Sequence, residues 1–134
     1  MTETDNKIFK FWMEEGILYS QFLEPIHLDT ILGQKLIDQR HIASDFKKQY
    51  WCYDFTNVLS MSKECREHAA KEGQDYLFAS AAIVKSRIQS FIINIFISLK
   101  NPKIPFKLFI EKEDAVEWLN RIKQKNELNE GRIG

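Results

Sequence analysis

Stretches with the side-chain preferences of β-strands alternate with stretches of helical period along nearly the whole chain, and few architectures accommodate that order. Lys7 to Met13 and Ile17 to Leu23 are rich in aromatic and branched residues. They flank Glu14, Glu15 and Gly16, the last free to take the positive φ of a tight turn, and together read as a β-hairpin. Pro25 closes the second strand because it has no ladder donor. Asp29 is the expected N-cap of a helix reaching about Ala43, with Ile31, Leu32, Leu36 and Ile42 inward. Gly33 inside it costs about 1 kcal/mol against alanine, which points to close packing on a sheet.

Tyr50 to Phe55 reads as a buried strand. Ser62 to Glu72 turns helical with only Cys65 and Ala69 on its inner side, and Gly73 stands where a left-handed C-terminal cap falls. Tyr76 to Val84 is the next strand. Ser86 and Gln89 have capping-box spacing, and Ile88, Phe91, Ile92, Ile95, Phe96 and Leu99 then recur at three and four residues as one apolar stripe. Phe106 to Ile110 gives a last strand. The final helix opens on Glu111, Glu113 and Asp114, closes on Arg121, Lys123 and Lys125, and turns Ala115, Trp118, Leu119 and Ile122 inward. Beyond Asn126 the chain is polar and expected to fray.

The order hairpin, helix, strand, helix, strand, helix, strand, helix implies right-handed crossovers and an α/β fold. Its mixed sheet has about five strands, an antiparallel hairpin and the rest mostly parallel, with about four helices. No repeat or linker interrupts it, so residues 1–126 form one domain and 127–134 a polar tail.

Function classes are excluded one by one. Lys plus Arg and Asp plus Glu number 19 each, so no net field gathers nucleic acid. Met1 to Asn6 is polar and acidic, unlike a signal peptide, so a cytoplasmic address is expected. The apolar run Ile88 to Leu99 is far shorter than the roughly 20 residues of a membrane span. His27, His41 and His68 are scattered, Cys52 and Cys65 are too far apart for a metal knuckle, and no Gly-rich phosphate loop or nucleophile elbow occurs. No metal, cofactor or enzymatic activity is expected.

The run Ala81, Ala82, Ile83, Val84, Lys85, Ser86, then Asn94 within an apolar helix, Pro102 and Pro105 before Phe109, and Ala115, Trp118 and Leu119 carries a resemblance. Over nearly the whole chain, this pattern and element order resemble the SpoIIAA-like fold of anti-sigma-factor antagonists and other STAS domains. In particular they resemble the small uncharacterised bacterial proteins described as STAS/SEC14-like. The resemblance implies a non-catalytic regulatory or protein-interaction domain. Its SEC14-like side implies an alternative, a carrier of a small molecule or lipid in an apolar cavity.

In the phosphorylatable antagonists, the third strand ends in aspartate and leads to a Asp-Ser-Ser-Gly type motif whose serine starts a helix. Here the strand ends at Asp54 and the loop runs Thr56 to Lys63 without that motif. Ser62 takes the corresponding place, with Ser60 and Lys63 beside it, and reads either as a phosphate acceptor or as a plain N-cap. Ile93 and Ile97 fall outside the apolar stripe, on a face shared with Gln89, Ser90 and Asn94. Either they are exposed and form an interface, giving a homodimer or a contact with another protein, or the C-terminal tail or a neighbouring helix covers them.

Overall fold

The computed structural model describes residues 8–93 and 103–133. Strands β1 (Phe9–Glu14) and β2 (Ile17–Phe22) form the expected antiparallel hairpin. Its turn places Glu15 at φ 50° and Gly16 at φ 81°, the paired positive angles that match the twist of two-residue hairpins. A short β3 (Ile26–Leu28) leads to α1 (Thr30–Ala43), and Asp29 caps α1 by accepting from the Leu32 amide at 2.8 Å. Then follow β4 (Gln49–Asp54), β5 (Val58–Met61), α2 (Lys63–Glu72), β6 (Leu77–Ile83), α3 (Arg87–Ile92), β7 (Phe106–Phe109) and α4 (Lys112–Ile133).

The main sheet runs β1-β2-β4-β6-β7 and is parallel after the hairpin, while β3 and β5 pair in a small parallel sheet of their own. Because side chains alternate across a strand, the main sheet has two apolar faces. Leu18, Trp51, Tyr53 and Ala82 lie on one, with Leu36 of α1 and Cys65 of α2 against them. Ile17, Tyr19, Tyr50, Cys52, Ala79 and Ala81 lie on the other, covered by Ala115 and Leu119 of α4. The Trp51 indole donates to the buried Ser20 hydroxyl at 3.0 Å, so a polar group in the first core is satisfied within it.

Several expectations change. Strand β5 falls within the stretch expected to be loop, Thr56 to Lys63, and β3 is an added strand, because segments this short carry no period. In α1 the buried residues are Gly33, Leu36, Ile37 and Arg40, whereas Ile31 and Ile42 are exposed. Gly33 meets α2 rather than the sheet, and a methyl group there would stand 2.8 Å from the Cys65 Sγ. Gly73 is right-handed at φ −70°, and it is glycine because a Cβ would lie 2.5 Å from the Ala69 carbonyl oxygen. Helix α4 continues through the expected fraying point to Ile133, with Asn126 donating to the Tyr50 hydroxyl at 2.9 Å.

The largest reversal is in α3. Ile88, Phe91 and Ile92 are 72%, 73% and 59% exposed, whereas Ser90 and Ile93 are buried. Ile93 is therefore a core residue and no exposed contact. Ile97, Asn94, Ile95, Phe96, Leu99 and Pro102 lie outside the described residues.

Candidate functional site

Strands β4, β6 and β7 are parallel, so their C-terminal ends meet at one edge, the place where open α/β sheets hold ligands and partners. The chain leaving β4 is tied down there. Asp54 Oδ1 accepts from the Thr56 amide at 2.8 Å and from its hydroxyl at 2.6 Å, so this carboxylate is spent on shaping a turn. Asn57 Nδ2 donates to the Phe22 carbonyl at 2.9 Å.

Gln89 makes the densest set of bonds at this edge. Its Nε2 lies 2.9 Å from the carbonyl oxygen of Phe55 and 3.0 Å from those of Thr56 and Val58, while its Oε1 accepts from the Lys85 amide. The Ser86 hydroxyl accepts from the Gln89 amide at 3.1 Å, which is the expected cap, but the return bond goes to Lys85 rather than to Ser86. Buried carbonyl groups need donors, so this need orients the helix more strongly than three exposed apolar side chains resist it. The polar side of α3 consequently faces in and its greasy side faces out. The sequence signal for this was the capping-box glutamine itself.

The loop residues singled out in the sequence have different surroundings. Ser62 is the N-cap of α2, accepting from the Cys65 amide at 3.1 Å. Ser60 Oγ lies 2.7 Å from His27 Nδ1 across the β3–β5 pair. Lys63 is exposed on the first turn of α2. Near this loop Leu59 is half exposed, and β5 touches α3. On the other flank of α3 a groove of about 610 Å³ runs between Phe91, Leu108 and Ile110, with Arg87 and Asp114 at its rim.

Both cysteines, Cys52 and Cys65, are buried. Burial pushes the Cys52 thiol up to about 12 and the Cys65 thiol up to about 11, so neither offers a thiolate near neutral pH. Among the described residues no group of three His, Cys, Asp or Glu side chains could hold a metal, and no helix is long and apolar enough to cross a membrane.

A second concavity lies beneath two helices and is partly open to solvent. Between the α1–α2 seam and the sheet lies a cavity of about 60 Å³, walled by Leu36, Trp51, Tyr53, Met61, Ala69 and Ser80 among others. Trp51 and Tyr53 stack with ring centroids 4.0 Å apart. The Tyr53 hydroxyl is hydrogen-bonded to the Ser80 side chain, and burial pushes its pKa above the usual range.

A family model described as a domain of unknown function, DUF7793, matches residues 11–123. No curated protein matches the chain. Among solved structures it is similar to an uncharacterised protein of the DUF3478 family from Shewanella loihica PV-4, described as having a SpoIIAA-like fold. The identity is 14% and the TM-score 0.60, over 83% of this chain and 91% of that one. At that identity the likeness is one of fold, and the fold of this chain is SpoIIAA-like, as the sequence pattern implied.

Proposed function

The chain belongs to the DUF7793 family of domains of unknown function, and from that premise we propose that it is a non-catalytic, STAS-like protein-interaction domain that docks through the outer side of α3. The observation that carries this reading is the exposure of Ile88, Phe91 and Ile92 on one short helix at the functional edge of the sheet. Burying each such side chain against a partner is worth roughly 1.5–3 kcal/mol. Three together on one short helix form the kind of apolar patch that marks an interaction surface. Leu59 and Ile110, both about half exposed, extend the apolar surface on either side. Self-association is the partner choice we favour, because it needs only the surface this chain already presents.

The test is mass in solution. Wild-type protein is expected at twice the 15.9 kDa of one chain. The double variant Ile88→Ser/Phe91→Ser should run as a monomer with an unchanged circular dichroism spectrum, since both side chains sit in solvent. The same mass for both proteins would remove self-association through this face.

A carrier of lipid draws less support. The cavity beneath α1 and α2, at about 60 Å³, is far smaller than drug-sized sites of about 300–1,000 Å³, and the 610 Å³ groove beside α3 is open and has Arg87, Glu111 and Asp114 in its lining. Native mass spectrometry of protein purified from its own cells separates the two readings, because a lipid carrier retains an acyl-chain mass and an interaction domain does not.

A further inference from the structure

The cavity under the α1–α2 seam is too small for a lipid, yet it is built in a way that packing alone does not require. Helix α2 covers the stacked Trp51–Tyr53 pair with small side chains, and Cys65 is its one buried residue. A leucine at position 69 would occupy the space that Ala69 leaves beside the aromatic floor. The close approach of Gly33 to Cys65 then holds the two helices at a separation that keeps the space roofed.

The wall chemistry narrows what fits. Leu36, Ile37, Met61 and the two rings make it mostly apolar; the polar side chains in its wall are the bonded Tyr53–Ser80 hydroxyl pair, His68, and Gln74, whose Oε1 already accepts from the Lys103 amide at 2.6 Å. Charge is poorly provided for: the titratable side chain most accessible to a ligand's charge, His68, is already engaged by Gln34 and, at 3.0 Å, by Glu72. A charged ligand would thus be desolvated without a partner.

Both ends of α2 are anchored by hydrogen bonds to the backbone. Ser62 caps the start, and buried Arg40 donates to the carbonyl oxygens of Gly73 at 2.8 Å and Asp75 at 2.6 Å just past the end. Between these points the Gln34–His68 hydrogen bond spans the seam, and it breaks by a side-chain rotation. Met61 is a second movable wall, since its unbranched side chain has three rotatable bonds.

We propose that this cavity is a binding site for a small, neutral, mainly apolar molecule that carries one hydroxyl group, phenol-sized at most. A cavity of about 150 Å³ holds benzene, so a phenol needs the present 60 Å³ enlarged by the swing of Met61 and His68. Entry is along the α1–α2 seam. This site is separate from the α3 face and does not depend on its role.

Phenol itself is the probe. Titrated into wild-type protein, it should shift the Trp51 indole, Tyr53 ring and Met61 methyl resonances saturably, with intermolecular Overhauser effects to the Met61 methyl. Ala69→Leu should fill the cavity and weaken phenol at least about tenfold, a loss of roughly 1.4 kcal/mol, without lowering the melting temperature. Shifts that grow linearly without saturation, or unchanged affinity in Ala69→Leu, would overturn the proposal. Should that variant misfold, the Overhauser contacts in wild-type protein decide: contacts to Met61 uphold the site and their absence removes it.

Discussion

Arg40 carries a guanidinium into the interior, 1% exposed, with no carboxylate in salt-bridge contact among the described residues. Its charge is met by the two carbonyl oxygens past α2, by the Trp51 face 4.8 Å from the guanidinium carbon, and by His41 Nε2 at 3.2 Å. Burial still wins over the attraction of Tyr53 and Asp75 and brings the pKa down to about 10. A planar, forked donor is what this arrangement uses, so Arg40→Lys should cost about 2–3 kcal/mol in urea unfolding, far more than a surface exchange. The neighbouring His41 accepts from Arg40 and must be neutral to do so. Burial, then Arg40, hold its pKa below the usual value of 6.5 against the pull of Asp38 and Asp75. As pH falls below 6.5 the unfolded chain takes up this proton first, so stability is complete above that value and declines through the window beneath it. Thermal unfolding from pH 7 to pH 5 should therefore show a smaller loss in His41→Gln than in wild type; equal losses would remove His41 from the acid response.

At the level of single elements, capping chemistry was legible and burial was only partly so. Asp29, Ser62 and Ser86 each cap the helix expected of them, because a side-chain oxygen three residues before a free amide is a local matter. The inner faces of α1 and α3 were misjudged because hydrophobic period counts apolar residues and gives no weight to what backbone carbonyls elsewhere demand. Arg40 and Gln89 are both drawn inward by carbonyl groups more than 30 positions away in sequence. The α1–α2 crossing offers a direct measurement. Gly33→Ala should gain helix propensity of about 1 kcal/mol but lose more to the 2.8 Å encounter with Cys65 Sγ. The net change should be destabilising in wild type and stabilising in a Cys65→Ala background. Additive effects in that double-mutant cycle would show the two helices free to part.

For the molecule as a whole, the alternation of strand and helix was enough to specify a layered α/β domain, and β7 joins β4 in one sheet as that reading required. The strand order β1-β2-β4-β6-β7 was not read from the sequence; helices α1 and α2 lie on one face of the sheet and the terminal α4 on the other. The exposed side of α3 was not legible. Sequence pointed to the third helix, yet to Ile93 and Ile97, where the exposed groups are Ile88, Phe91 and Ile92. The one local sign of which side turns inward was the capping-box glutamine, and an apolar period gives it no weight. That inner surface also has a mechanical meaning. One amide side chain on α3 grips three successive parts of the segment leaving the central strand. A displacement of the helix is therefore expected to move that segment, and with it the strand that carries Ser60.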